Sequence, residues 1–216
     1  MSTRLRLCAA AAIFALSACT VFAGTYDSVD FFRAVNVDNA DAVSRMLAAG
    51  LDPNQLDTHG QPALILALQD ESLKVAKVLW DAKGIRIDAQ NQAGETPLMM
   101  AALKAEGDAV AALVARGAAV HKDGWSPLHY AATGGSATIV RLLLSRGAKL
   151  EARSPNGSTP LMMAARYGNE EAVDALLAAG GDRTLKNDLG MDASAFAASA
   201  GREKLAARLK PAVAAK

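Results

Sequence analysis

The sequence predicts an all-α fold built by stacking short helix-turn-helix units. Hydrophobic residues make up 51% of the 216 residues and aromatic residues only 5%. Together with its many alanines, this composition suits close-packed helices better than a β-sandwich rich in Val, Thr and Tyr. A proline motif also recurs about every 33 residues, and a glycine recurs with the same period, which is typical of a repeat protein.

The two repeat series run in the same phase along the chain. The proline motif occupies residues 61–64, 96–99, 126–129 and 159–162, and the glycines are Gly50, Gly84, Gly117, Gly147 and Gly180. The second unit is two residues longer than the usual 33 at residues 80–84, and the interval from Gly117 to Gly147 is three residues shorter. We therefore expect a truncated loop before Trp125 and a local change in the surface there.

Each unit has the sequence features of two short antiparallel helices. Thr96 and Thr159 are candidate N-caps, and the proline that follows each one suits the first helical position, where its missing N–H costs nothing. The first helix is expected to run to about Gly135 in the fourth unit or Gly168 in the fifth, where glycine permits a tight reversal. A second helix, such as 137–145, carries its apolar residues at i, i+3 and i+4 spacing. One unit cannot bury both apolar faces alone, so stacking is required.

These residues resemble the ankyrin repeat family. Residues 94–98 read Gly-Glu-Thr-Pro-Leu, 101–102 read Ala-Ala, and 117–118 read Gly-Ala, and the likeness covers roughly residues 28–209. The resemblance implies a solenoid of helix-turn-helix units with projecting loops. Six units are expected, at about 26–55, 56–89, 90–121, 122–152, 153–185 and 186–211, and the first and last are degenerate caps. In the last unit, the charged residues expected to face water are Arg202, Glu203, Lys204, Arg208 and Lys210.

The first residues have the order of charges and apolar residues found in a secretory signal peptide. Arg4 and Arg6 precede an apolar run over 7–16 that is too short to span a bilayer. Cleavage after residue 23 leaves a single repeat domain at 24–216. The alternative is a lipoprotein signal over 1–18, with Cys19 as the lipidated residue. Both alternatives predict export to the periplasm, as a soluble or a lipid-anchored protein.

Charge and cysteine content exclude several classes of function. Without Arg4 and Arg6 the chain keeps 21 basic and 22 acidic residues, spread without aromatic interleaving, so no nucleic-acid partner is expected. The two cysteines, Cys8 and Cys19, both lie in the leader region. We therefore expect no disulfide and no thiol catalysis in the exported domain.

No catalytic residue, cofactor or metal site is predicted. The three histidines, His59, His121 and His129, belong to no zinc, metalloprotease or nucleophile-elbow motif. No phosphate-binding glycine loop occurs either. The resemblance implies a structural role for His129, as a hydrogen-bonding partner of the N-cap in the Thr-Pro-Leu-His position. His59 and His121 are expected in surface loops.

The resemblance also implies a contact surface formed by loop tips and by exposed positions at the end of each first helix. Carried over to this sequence, the partner-binding residues are His59, Gln61, Leu68, Gln92, Glu95, Lys104, Lys122, Trp125, Asn156, Ser158, Arg166 and Tyr167. Trp, Tyr and Arg are enriched at interface hot spots. Trp125 is either such a hot spot or a structural plug that packs on an adjacent loop.

The sequence thus predicts a monomeric, exported bacterial protein without enzymatic activity. It is expected to bind another protein, as an adaptor, a stress-protection accessory or an immunity-type partner. A possible lipid anchor at Cys19 is the one expected contact with a membrane. The alternatives are a structural spacer in the envelope and a periplasmic hydrolase.

Overall fold

The computed structural model describes residues 26–211, which form twelve α-helices in six antiparallel pairs. The helices are α1 (Ser28–Asn36), α2 (Ala40–Ala48), α3 (Ala63–Gln69), α4 (Leu73–Trp80), α5 (Pro97–Leu103), α6 (Gly107–Ala115), α7 (Pro127–Gly134), α8 (Ala137–Ser145), α9 (Pro160–Arg166), α10 (Glu170–Ala178), α11 (Ala193–Ser199) and α12 (Glu203–Leu209). The predicted all-α fold of six helix-turn-helix units is confirmed.

The helices lie in two layers. The first helices of successive units pack on one another, and the second helices from α2 to α10 do the same. We call the side formed by the first helices and the adjoining loops the concave face, and the side formed by the second helices the convex face. The loops that connect one unit to the next project at the edge of the concave face. In the part of the chain described, no helix is long and apolar enough to cross a membrane.

Most of the helices begin after a residue whose side chain can cap them. Thr96 Oγ1 accepts a hydrogen bond from the backbone N–H of Met99 at 3.4 Å, and Thr159 caps α9 in the same way. Pro97 occupies the first position of α5, as predicted. In the fourth unit, α8 has the predicted bounds, and Ser136 caps it through the N–H of Ile139. Local capping therefore accounts for where α5, α8 and α9 begin.

Alanine pairs let the layers approach closely. Ala101–Ala102, Ala131–Ala132 and Ala164–Ala165 are all fully buried where successive first helices meet. Larger residues fill the space between the two layers, with Leu98, Leu128 and Leu143 among the buried leucines. The alanine excess is thus a consequence of helix spacing.

The two predicted reversal glycines act differently. Gly135 has a left-handed φ of 79° and ends α7 as expected. Gly168 does not have a left-handed φ, and α9 already ends at Arg166 with Tyr167 as its C-cap. Glycine is needed at 168 because a Cβ there would overlap the carbonyl oxygen of Ala132 in the preceding unit. A Cβ at Gly134 would meet the Leu103 carbonyl oxygen in the same way.

The last unit closes the solenoid, with one correction to the expected polar cap. Glu203, Lys204 and Arg208 are exposed, while Leu205 packs in the core. The prediction that Arg202 faces water is wrong. Its guanidinium Nη1 donates to the carbonyl oxygens of Ala164, Ala165 and Gly168 at 3.1, 2.9 and 2.8 Å. These carbonyl groups lie at and just after the end of α9, so the bonds satisfy groups that a helix end leaves unpaired.

The leader lies outside the described residues. The signal-peptide boundary at residue 23, the alternative boundary at residue 18 and the lipidation of Cys19 all fall there, and they stay predictions.

Replacing Gly168 with alanine tests the close approach of the units. We expect Gly168→Ala to lower the free energy of unfolding by about 1–3 kcal/mol, because the added methyl group has no room. Gly107→Ala is the matched control, since its Cβ would meet nothing within 4 Å and its φ is not left-handed. That change should be neutral or should stabilise by up to about 1 kcal/mol. Urea unfolding measures both, and equal effects would contradict the steric explanation.

Candidate protein-binding surface

Side chains at the start of most projecting loops fix the loop tips. Asp57 Oδ1 accepts from the backbone N–H groups of His59 and Gln61, both at 2.8 Å. Asn91 makes the equivalent pair of bonds at 3.0 Å. The amide of Gln92 then donates to the His59 carbonyl oxygen at 2.8 Å, which ties one tip to the next. The loop edge of the concave face is therefore ordered by its own hydrogen bonds.

The predicted tip residues are not equally available to a partner. His59 is exposed, whereas Gln61 is half-buried and bonds the Gln69 side chain at 2.6 Å. The Asn156 side chain accepts from Ser154 Oγ at 2.6 Å, although Asn156 is exposed. Lys122 is half-buried near Gly94. Among the predicted tip residues, His59, Gln92 and Asn156 are thus the exposed ones.

The loop of the fourth unit departs from this pattern. His121 takes the place that Asp57 and Asn91 hold, and in residues 26–211 its ring nitrogens have no hydrogen-bond partner. Its Nε2 lies 3.5 Å from the Asp123 carboxylate, which is fully exposed. The imidazole cannot accept the two backbone N–H bonds that a carboxylate or amide accepts in the other loops. The loop is shortened and differently held, which places Trp125 at the edge of the concave face.

His129 supports Trp125 from below. The two rings pack edge to face, with centroids 5.3 Å apart and planes at 77°. The Ser126 N–H and Oγ lie 3.2 and 2.8 Å from His129 Nδ1, and Nε2 lies 3.0 Å from the Ser158 carbonyl oxygen. Because the Ser126 N–H can only donate, Nδ1 is the acceptor and Nε2–H donates to Ser158. The buried imidazole is held on both sides, which fixes the position of the Trp125 ring.

A small apolar pocket lies beside Trp125 on the concave face. Its volume is about 220 Å³, and its other lining residues are Leu103, His129, Tyr130, Thr133 and Met163, from α5, α7 and α9. We call it the Trp125 pocket. Its walls come from three successive units, so that its shape depends on how the units stack.

Hydrogen bonds hold one wall of the pocket in place. The Tyr130 hydroxyl donates to Glu95 Oε1 at 2.7 Å, and Glu95 Oε2 accepts from the Asn91 amide at 2.7 Å. Burial, helped by the Glu95 carboxylate, raises the pKa of Tyr130 above its ordinary value. The phenol therefore stays protonated and keeps donating to Glu95, which leaves the apolar part of the ring facing the pocket.

Charged side chains flank the pocket on the concave face. Lys104 Nζ lies 3.1 Å from Glu71, although the pair is solvent-accessible. The Arg166 guanidinium lies 5.2 Å from the centroid of the Tyr167 ring and donates to Ser199 Oγ at 3.2 Å. Tyr167 is 57% exposed. An apolar pocket with polar neighbours is the arrangement found at the centre of many protein interfaces.

Comparison with known proteins identifies the repeat. A family model described as ankyrin repeats matches three overlapping segments, at residues 31–122, 83–154 and 105–188. The chain belongs to the ankyrin repeat family. Ankyrin repeats generally mediate protein–protein interaction, and the fold is typically a non-catalytic binding scaffold.

Relatives extend the likeness to solved structures. The B-cell lymphoma 3 protein homolog of Mus musculus is 34% identical over 126 residues, which is 55% of this chain and 28% of that relative's length. The ankyrin repeat domain of Bcl-3 is 31% identical with a TM-score of 0.66, and the match covers 82% of this chain and 80% of that one. A chain in the complex of a predatory endopeptidase from Bdellovibrio bacteriovorus with an immunity protein is 25% identical. Its TM-score is 0.71, and the match covers 86% of this chain and all of that one.

Two of the carried-over contact residues are buried, and their prediction as contact residues is wrong. Leu68 is completely buried because it is the sixth residue of α3, the position that the buried Ala102 holds in α5. Ser158 is 1% exposed, and its carbonyl oxygen holds His129. Both side chains support the stack and cannot reach a partner.

Sequence reasoning missed most of the pocket. Tyr130 and Met163 are the fourth residues of α7 and α9, and Leu103 and Thr133 are the seventh residues of α5 and α7. Met99, Met100 and Met162 are buried in the core, while Met163 is only partly buried. A large residue at this helix position next to an aromatic loop residue is the sequence signal that could have located the pocket.

The Trp125 pocket can bind a side chain of a partner, but its residues offer few groups for catalysis. Both ring nitrogens of His129 are used in hydrogen bonds, and the ring is buried, so it cannot serve as an accessible general base. In the described part of the chain, no three His, Cys, Asp or Glu side chains form a group that could hold a metal ion.

The buried imidazole should make stability depend on pH. Burial lowers the pKa of His129 to about 4, although the Ser158 carbonyl oxygen opposes this shift, and its ordinary value is 6.5. The unfolded chain therefore binds the proton first, and stability should fall as the pH drops from about 6.5 to 4, by roughly 3 kcal/mol. Urea unfolding between pH 7.5 and 4 measures this loss.

His129→Met is the matched variant, because Met99 and Met162 occupy the same position, and their Sδ atoms accept the N-cap N–H at 3.3 Å. The variant should be less stable at pH 7.5, since the Ser158 carbonyl oxygen loses its donor, but it should lose less stability on acidification. An identical pH dependence in both proteins would show that His129 does not cause it.

Proposed function

We propose that this ankyrin repeat protein is a non-enzymatic scaffold of the bacterial cell envelope that binds a partner protein through its concave face. The observation that carries the proposal is the Trp125 pocket, an apolar depression formed by three consecutive units and edged by an aromatic loop residue. The pocket would receive one apolar anchor side chain of the partner. A purely structural spacer has no need for such a pocket.

The energetics of the pocket support this function. Burial of one large apolar side chain contributes about 1.5–3 kcal/mol. Trp125 is already positioned by His129, and Tyr130 by Glu95, so that binding costs little side-chain entropy on this side. Lys104, Arg166 and Tyr167 form a polar surround that can exclude water from the anchor.

The envelope setting rests on the leader sequence. Its order of basic, apolar and small residues over 1–23 supports export to the periplasm. The protein would be a soluble monomer cleaved before Gly24 or a lipoprotein anchored through Cys19. Among the adaptor, stress-protection and immunity roles, the likeness to a chain in an endopeptidase–immunity protein complex favours immunity. The partner proposed is then a toxic hydrolase of the same cell.

Crosslinking in the native cell followed by mass spectrometry would identify the partner. The same spectra distinguish a diacylglyceryl Cys19 from a free Gly24, because the two N-termini differ greatly in mass. Panels of hydrolase substrates with the purified protein test the enzymatic alternative, and turnover lost on replacing His59 or His121 would contradict the scaffold proposal.

Trp125→Ala should weaken binding of the captured partner by about 30-fold, a loss typical of a hot-spot residue. Thr133→Phe should have a comparable effect, because the larger side chain fills the pocket. Leu189→Ala is the control, since Leu189 is a large apolar residue, 77% exposed, on a loop tip away from the pocket. Calorimetry with the purified partner measures the three affinities. Unchanged binding by both pocket variants, with the fold intact, would refute the concave-face proposal.

A further inference from the structure

A second apolar depression lies on the convex face, between α2 and α4. Its volume is about 750 Å³, and its floor is formed by Leu47, Leu51 and Pro53 of the first unit and by Val78 and Ala82 of the second. We call it the α2–α4 groove. Leu47, Leu51 and Val78 are only partly buried, so apolar surface remains accessible in it.

The two extra residues of the second unit build one wall of the groove. In the first unit, the N–H of Gly50 donates to the Leu47 carbonyl oxygen at 3.0 Å as α2 ends. After α4, Ala82 makes the equivalent bond to Leu79 at 3.1 Å, and Lys83 and Gly84 follow as additional residues. The inserted turn therefore extends past the end of the helix and adds Lys83 to the groove lining, next to Ala82.

The inserted turn is held in place by the preceding unit. The Asn54 side chain donates to the Gly84 carbonyl oxygen at 3.0 Å and accepts from the Arg86 N–H at 2.8 Å. Asn54 is itself fixed by Asp52, whose Oδ1 accepts from the Asn54 backbone and side-chain nitrogens at 2.9 and 2.8 Å. The wall is thus ordered before any partner binds.

The groove is lined by more positive than negative charge. Lys74, Lys77 and Lys83 lie on its rim and are exposed, against one carboxylate, Asp81. Asp81 is already paired with Lys77 at 3.5 Å and with Arg116 of the next unit. Across residues 26–211, Lys74 and Lys83 form no ion pair within 4 Å. Their positive charges are available to a partner.

We propose that the α2–α4 groove binds an amphipathic helix of a partner protein, with its apolar face on the groove floor and acidic residues along its flanks. A third helix fits here because side-chain ridges of one helix pack into the space between the ridges of its neighbours. The acidic flanks would pair with Lys74 and Lys83. A bilayer surface is the poorer occupant, because the apolar floor lies below the lysine rim. This site is on the face opposite the Trp125 pocket and is independent of the function proposed above.

A designed peptide tests the proposal without knowledge of the natural partner. The probe is a fluorescein-labelled peptide of about 18 residues, or five helical turns, with Leu at i, i+3, i+4 and i+7 spacing and Glu beside the leucines. A permuted peptide of the same composition, with the leucines spread around the helix, is its control. Fluorescence anisotropy should show saturable binding of the first peptide that weakens as salt screens the charges. Equal binding of both peptides, or of neither, would overturn the proposal.

Charge-reversal variants locate the site. Lys74→Glu with Lys83→Glu should weaken binding of the amphipathic peptide roughly tenfold or more. Lys149→Glu with Lys204→Glu makes the same change in net charge at exposed lysines elsewhere, and it should alter binding less than twofold. Val78→Asp places a carboxylate on the floor and should abolish binding, with thermal unfolding as the check on its fold. Trp125→Ala should have no effect. Equal losses of peptide binding in the two double variants would show a general electrostatic attraction and would overturn the proposed site.

Two further measurements exclude other occupants. Co-sedimentation with phosphatidylglycerol vesicles should show no dependence on Lys74 and Lys83, and specific vesicle binding without peptide binding would assign the groove to a lipid surface instead. Sedimentation velocity should show a monomer. A dimer that is lost in the Lys74→Glu, Lys83→Glu variant would assign the groove to a second copy of the chain.

Discussion

Close contact between successive first helices is the constraint on which the rest of this structure depends. Each helix pair is short and cannot bury both of its faces, so the neighbouring unit must approach it closely. The fully buried alanine pairs and Gly134 and Gly168 make this approach possible. The Arg202 guanidinium then bonds three carbonyl oxygens at the end of α9 in the preceding unit. Bonds of this length form only at the spacing that small residues allow.

The same constraint creates the binding surface. Because the first helices are close together, large side chains at equivalent positions of adjacent units stand side by side and enclose small depressions between them. The Trp125 pocket forms where Tyr130 and Met163 stand in this way, with Leu103 beside them, and where the loop edge carries an aromatic ring. The hydrogen bond from His129 to Ser158 crosses the same unit boundary and supports that ring from below. Stability and recognition therefore depend on the same contacts in the fourth unit.

Sequence reasoning predicted the features that depend on adjacent residues, such as helix caps and bounds. It failed for the features that depend on contacts with a neighbouring unit. The caps Thr96 and Thr159 and the bounds of α8 depend on a few adjacent residues, and they agree with the structure. The burial of Leu68 follows from its position in the helix, which is the position that buried Ala102 holds in α5, and not from its nearness to the helix end. The contacts of Arg202 cannot be read from its neighbours, because its carbonyl partners lie more than 30 residues away in sequence. The same holds for the Trp125 pocket, since no single unit contains it.

Departures from the repeat period coincide with both candidate surfaces. A regular ankyrin unit leaves little freedom, because its helix spacing, caps and loop tips are fixed by contacts with identical neighbours. Two extra residues after α4 raise a wall beside α2, and the shortened loop with His121 in place of Asp or Asn brings Trp125 to the concave edge. The shortened loop lacks the two backbone hydrogen bonds that Asp57 and Asn91 accept in their loops, and stability alone gives no reason to keep this change. An irregular unit with stable neighbours on both sides can carry a binding surface, because the neighbours contribute the stability that it lacks.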